Sequence, residues 1–214
     1  MFLINVSFSC FSLNVRGIRD ITKRKAIFLF CKGEKNNFFL LQETHSCPED
    51  EKFWINQWGD KIIFDHGTTK SAGLAILFYN SPGKLLTSKF SVLDLNGHHT
   101  FLEAITTWFM TKCLIDILLV SNAVPTPPLT EFCGSLDLLD PWRFKYPNTK
   151  QYSWFKPNDT IKYRTDLWLI SASMRNFVSE CSMSAAPLTD HSLQFCVMLI
   201  SLSMSWMWLS TVYL

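Results

Sequence analysis

Charge is scarce in this 214-residue chain: Asp, Glu, Lys and Arg make up 18% of it, against about 25% in ordinary globular proteins. With 48% hydrophobic residues, that excludes a disordered chain, which needs low hydrophobicity and high net charge. Eight Gly and nine Pro are too few for a fibrous or low-complexity design, and no internal repeat is visible. A net charge of +2 is too small to indicate a nucleic-acid binder by itself. The seven cysteines (10, 31, 47, 113, 133, 181 and 196) are odd in number and contain no C-x-x-C pair. Neither a zinc site nor a disulfide framework is indicated, so a reduced intracellular compartment, nucleus or cytoplasm, is expected. Residues 1–15 carry no charge, so the basic start of a signal peptide is missing.

What is present is a succession of short apolar runs. Residues 8–14 read as a strand, and Gly17 permits a turn. Asp20 or Thr22 can cap a helix over 23–31, and 32–37 is a polar break. The unbroken Phe38-Phe39-Leu40-Leu41 fits a strand buried on both faces. A short helix is expected over 48–54, strands over 62–64 and 74–78, and a turn at Ser81-Pro82-Gly83. Strands over 90–95 and 101–107 flank Asn96-Gly97, a hairpin signal. Another strand covers 113–120, Pro125, Pro127 and Pro128 interrupt the pattern, and 131–139 suggests a short helix. Strands at 152–155, 167–170 and 193–199 complete the pass. This pattern indicates α/β or α+β, with mostly antiparallel sheets packed against a few helices.

Polar residues follow several of these strands. Asn14, Glu43, Asp166 and the pair Asp190-His191 each stand at the end of an apolar run. Singly, each has an ordinary explanation: a turn for Asn14, a surface carboxylate for Glu43, an ion pair with Arg164 for Asp166, a satisfied core histidine for His191. Together, Ser12-Leu13-Asn14-Val15-Arg16-Gly17, Leu41-Gln42-Glu43-Thr44-His45, Arg164-Thr165-Asp166-Leu167 and Thr189-Asp190-His191-Ser192 resemble the endonuclease/exonuclease/phosphatase family in order and rough spacing. The runs Leu138 to Pro147 and Gln151-Tyr152-Ser153-Trp154 look like the endonuclease domain of LINE-type retrotransposon proteins.

The resemblance implies a DNase I-like four-layer sandwich, two packed mostly antiparallel sheets flanked by helices. It implies phosphodiester hydrolysis of DNA with a divalent cation, Mg²⁺ or Mn²⁺. Glu43 is then the metal ligand, since Mg²⁺ takes oxygen donors. Asn14 orients the phosphate or a metal-bound water, His191 meets the scissile phosphate, Asp166 fixes its tautomer and charge, and Asp190 assists the metal or the histidine. Arg16, Arg19 and Lys23, from an early basic cluster, would contact DNA phosphates. No small-molecule cofactor is expected, and the oligomeric state is open.

One part of the pattern is missing. The family has a Gly-Asp-Phe-Asn motif, whose Asp and Asn activate and position water, before the Asp140-Pro141-Trp142-Arg143 segment. This chain has none, and Leu119-Val120-Ser121-Asn122-Ala123-Val124-Pro125 stands where a tyrosine is expected. An internal deletion near 120–138 accounts for both, with central elements lost and catalysis impaired. The alternatives are a catalytically dead nucleic-acid-binding remnant and a tail-anchored membrane protein carrying a degenerate domain. The second arises because residues 192–214 carry no charge. Five serines and the lack of a basic flank favour a closing strand instead, with residues 1–200 as the domain and 201–214 as an atypical apolar tail.

Overall fold

The computed structural model describes residues 3–34, 36, 38–79, 86–87, 99–108, 111–120, 131, 133–156 and 161–203. The expected turn at 81–83, strand at 90–95 and Asn96-Gly97 turn lie outside them. So do Pro125, Pro127 and Pro128, most of the expected deletion, and residues 204–214.

Two sheets carry the fold. The first contains β1 (Leu3–Asn14), β2 (Phe38–Gln42), β3 (Ile62–Asp65), β4 (Leu74–Phe78), β12 (Val178–Ala185) and β13 (Ser192–Ser203), in the order β12-β13-β1-β2-β4-β3. Strands β1 and β2 are parallel, whereas β1–β13, β2–β4, β3–β4 and β12–β13 are antiparallel. The second contains β5 (Leu86–Thr87), β6 (His99–Trp108), β7 (Thr111–Val120), β8 (Leu138–Leu139) and β11 (Leu167–Ser171), in the order β5-β6-β7-β11-β8. A small ribbon pairs β9 (Trp154–Phe155) with β10 (Lys162–Tyr163). This is the α/β class expected, with two mostly antiparallel sheets.

The continuous apolar run in β2 has its cause in the layering. Phe39 and Leu41 face a core with Phe11, Leu13 and Leu77. The same core holds Ile27, Phe28 and Cys31 of helix α1 (Ile21–Glu34) and Trp54 and Trp58 of helix α2 (Glu51–Trp58). Leu40 faces the opposite way, with Cys10, Ile76 and Phe78, against Trp168 and Ile170 of β11. Helices, first sheet and second sheet are therefore stacked in that order, and β2 is buried on both faces.

Several boundaries shift for local reasons. Helix α1 starts at Ile21, two residues before the expected 23, because Asp20 and not Thr22 caps it: the Asp20 carboxylate accepts from the Lys23 N–H at 2.7 Å. It runs on to Glu34, because Lys32 and Glu34 are good helix formers. After a 3₁₀ turn at Pro48–Asp50, α2 extends to Trp58, whose buried indole donates to the Phe78 carbonyl at 2.7 Å. The helix expected over 131–139 does not reach its end. Residues 133–135 are helical, but Leu138 and Leu139 pair with Ser171 and Ile170 of β11. Tertiary pairing outweighs local helix preference there. The strand expected over 152–155 shortens to Trp154–Phe155. The closing strand is longer than expected, since Leu3 pairs with Ser203. Strand β7 pairs directly with β11, Val120 opposite Leu167, so no edge is left open between them.

Candidate active site

The parallel pair β1–β2 ends at one edge of the first sheet, Asn14 opposite Gln42. Such strand ends are where open α/β sheets present ligand sites. The two loops beyond them join: the Val15 N–H donates to the Gln42 carbonyl at 2.9 Å, that of Gly17 to Glu43 at 2.6 Å and that of Ile18 to Thr44 at 3.1 Å. The pairing forces close approaches. A Cβ on Gly17 would lie 2.6 Å from Nδ1 of His45, and Gly17 has φ of 75°. Arg16, Glu43 and His45 also take positive φ (46°, 54° and 57°), an uncommon state for non-glycine residues that clusters at functional sites. The Glu43 carboxylate accepts from the Ala72 N–H at 2.9 Å and lies 3.4 Å from Nε2 of His45.

The start of antiparallel β13 meets the same edge. His191, the residue before β13, has Nδ1 2.7 Å from Oδ2 of Asp166, which immediately precedes β11. Both side chains are 4% exposed. A carboxylate only accepts, so Nδ1 carries the proton and Nε2 is the free ring nitrogen. The backbone holds both partners. The Asp166 N–H donates to Ser153 Oγ at 2.9 Å, and the Gln194 amide donates to the Asp166 carbonyl at 2.5 Å. Thr189 Oγ1 donates to the Asn14 carbonyl at 2.9 Å and accepts from the His191 N–H at 3.2 Å, which links the histidine loop to the end of β1. Oδ1 of Asp190 is 3.9 Å from Nε2 of His191, and its Oδ2 accepts from Trp154 Nε1 at 2.8 Å.

Asn14, Asp166, Asp190 and His191 are thus brought together, and Glu43 follows the register partner of Asn14. The alternative pairing of Asp166 with Arg164 does not occur. Arg164 pairs with Asp140 at 2.5 Å and lies over the Trp142 ring. The basic cluster is largely engaged: Arg16 with Asp190 and Arg19 with Asp50, both at 2.5 Å, while Lys23 donates to the Arg16 carbonyl at 3.1 Å. Burial, then the neighbouring Arg16, lowers the Lys23 pKa. Trp154 is half-buried and stacks on Tyr163 at 6.0 Å. A cleft of about 470 Å³ beside His191 is lined by Lys150, Tyr152, Phe155, Lys162 and Asp190.

Sequence reasoning missed two supports. Ser153 is fully buried, and its Oγ accepts from both Thr165 and Asp166. Gln194 looked like an ordinary strand residue. A serine between two aromatics just before a ribbon was the signal for the first, and nothing marked the second.

Among the described residues, no three of His, Cys, Asp and Glu gather as a cation cage. The oxygen donors at the strand ends, the Glu43 carboxylate and the Asn14 amide, are hard ligands. They suit Mg²⁺ or Mn²⁺, which binds through one or two carboxylates, keeps waters and shares the substrate phosphate.

No family model matches the chain. Its backbone superposes on an AP endonuclease from Archaeoglobus fulgidus with a TM-score of 0.67, covering 89% of this chain and 99% of that one at 14% identity. The AP endonuclease LMAP from Leishmania major gives 0.67 over 90% of this chain and 87% of that one at 16% identity. The 3′ phosphatase NExo from Neisseria, solved with a product DNA hairpin, gives 0.67 over 88% and 98% at 14% identity. The fold is the one these AP endonucleases and the NExo phosphatase share. Within the curated proteins, the chain is 23% identical over 231 residues to a Transposon TX1 uncharacterized 149 kDa protein from Xenopus laevis. That match covers 87% of the chain but 18% of the relative's length. A transposon protein in sequence and DNA-processing enzymes in fold are thus what the chain is similar to.

Proposed function

We propose that this chain is a DNA endonuclease domain of retrotransposon type, dependent on Mg²⁺ or Mn²⁺ and slowed by the absence of the Gly-Asp-Phe-Asn segment. The observation that carries this reading is the convergence of Asn14, Asp166, Asp190 and His191, with Glu43 beside them, on one sheet edge. The proteins of similar fold act on or bind DNA by their names, and the relative is a transposon protein.

In this reading each residue has one task. Glu43 would hold the cation, which would supply neutralisation of the phosphate charge and of the leaving oxygen, and Asn14 would orient the phosphate or a metal-bound water. Asp166 holds the Nδ1–H of His191, so that Nε2 faces the scissile phosphate and, when it too carries a proton, stabilises the charge that develops there. Asp190 works through His191 or the cation. Arg19 and Lys23 flank the edge and meet the DNA backbone. The catalytic unit occupies residues 1–200, and the protein works inside the cell on nuclear or cytoplasmic DNA.

Without a group to position water, general-base help worth about 10²- to 10⁴-fold is lost. The second reading, a nucleic-acid-binding remnant with no turnover, rests on that missing segment. Plasmid nicking with Mg²⁺ separates the two. Turnover that depends on His191 and Glu43 supports the enzyme, and an equal background from all proteins supports the remnant.

Among the described residues, no helix is long and apolar enough to cross a membrane. Residues 192–203 form β13.

A further inference from the structure

Asp190 sits between two demands. Its carboxylate borders His191, and it stands at an edge whose oxygen donors suit a cation. The hydrogen bonds are unevenly divided between its two oxygens. Oδ2 accepts from Arg16 Nη1 at 2.5 Å and from Trp154 Nε1 at 2.8 Å. Two donors occupy the two lone-pair sites of that oxygen. Oδ1 is buried with no hydrogen-bond partner, 3.9 Å from Nε2 of His191.

Arg16 is no loose surface arginine. Its own N–H donates to Asn14 Oδ1 at 3.1 Å, its carbonyl accepts from Lys23 Nζ at 3.1 Å, and the next N–H is held by the Glu43 carbonyl. Its backbone takes φ of 46°, which costs a residue with a Cβ and persists only where the surroundings impose it. The Asp190 side chain is 12% exposed, so the pair is screened less than an exposed one. The guanidinium side chain keeps 60% of its surface open to solvent.

We infer that Arg16 is a positioning residue: with Trp154 it holds Oδ2 of Asp190, withdraws that carboxylate from cation binding and turns Oδ1 toward His191. The inference rests on the metal-dependent reading above. It divides the edge into two parts, Glu43 for the cation, and Arg16, Asp190 and Asp166 for the histidine. Arg16 thus acts on a carboxylate of the site as well as carrying a charge that DNA could meet.

The test is Mn²⁺ binding to the full chain, read from the free-ion electron paramagnetic resonance signal. It needs no turnover. In Arg16→Ala, freed Asp190 becomes a ligand and Mn²⁺ affinity rises about tenfold, a gain of 1.4 kcal/mol. The gain disappears in Arg16→Ala/Asp190→Asn, and Asp190→Asn alone leaves affinity unchanged. Arg16→Lys separates charge from fork geometry. A single ammonium does not reproduce the fork's aim at Oδ2, so this variant gains part of the affinity, whereas a purely electrostatic role leaves it at the wild-type value. Circular dichroism confirms that each variant folds. The inference is overturned if Asp190→Asn weakens binding in the otherwise native chain. It is equally overturned if Arg16→Ala binds no more tightly than the native protein, including the case in which neither binds. Failure of plasmid nicking in every protein would remove the enzyme reading while leaving these affinities to decide the role of Arg16.

Discussion

Nδ1 of His191 and Oδ2 of Asp166 lie 2.7 Å apart, and each side chain is 4% exposed. The two residues come from loops 25 positions apart that lead into strands of different sheets. Their pairing therefore spans the two layers of the fold. Removing the histidine leaves a buried carboxylate whose Oδ1 already lacks a partner. His191→Ala should cost about 3–5 kcal/mol, as for other broken buried pairs. Asp166→Asn keeps the shape and a polar group opposite Nδ1, so about 1–3 kcal/mol is expected. Urea unfolding followed by tryptophan fluorescence measures both, and the reverse order would contradict the assignment.

Ser153 supports the pair from below. Its hydroxyl is the acceptor for two successive N–H groups, Thr165 and Asp166, both at 2.9 Å. Ser153→Ala leaves both donors without that partner, the Asp166 N–H buried and the Thr165 N–H half-buried, at an expected cost of about 1–3 kcal/mol. Amide exchange should speed up at Asp166 and His191 before it does in the centre of β1. Uniform protection across the sheet edge would show that Ser153 is a passive filler.

Gly17 tests the junction of the two loops. An added methyl meets Nδ1 of His45 at 2.6 Å, and the residue holds φ of 75°. Gly17→Ala is expected to lose about 1–3 kcal/mol from backbone strain alone. It should also shift the Glu43 loop, read as weaker Mn²⁺ binding. Equal stability of the variant would mean that the junction relaxes freely.

Cys10 gives a pH dependence with a defined sign. Burial pushes its thiol from 9.0 up to about 12, so the folded state favours the protonated form. The stability this contributes is complete below pH 9 and is lost as pH rises from 9 toward about 12. The native protein should lose about 1.4 kcal/mol per pH unit more than Cys10→Val above pH 9. Guanidinium unfolding at pH 8 and pH 10 gives the difference, and parallel losses in the two proteins would refute it.

Much of this architecture was legible because burial leaves simple patterns. The two-faced burial of β2 wrote a run of four apolar residues, and the ends of β1, β2 and the start of β13 carried the polar residues that meet at the edge. Strand β12 escaped notice: seven of its eight positions are exposed or half-buried at the sheet margin, and a bulge between Val178 and Glu180 breaks the alternation before Cys181. Leu138 and Leu139 read as the end of a helix because the partner that makes them a strand, β11, lies some thirty residues on. The site residues were readable singly, but their bonds were not. Arg16 looked like a phosphate contact on charge alone. Its pairing with Asp190 spans 174 positions and follows only from the register of β1 with β13.

The most direct measurement of the central claim is the nicking of supercoiled plasmid by the full chain, with and without Mg²⁺. The account expects slow, metal-dependent conversion to open circles, reduced about 100-fold or more in His191→Ala and in Glu43→Ala. The same background from all three proteins, whether or not Mg²⁺ is present, would contradict it.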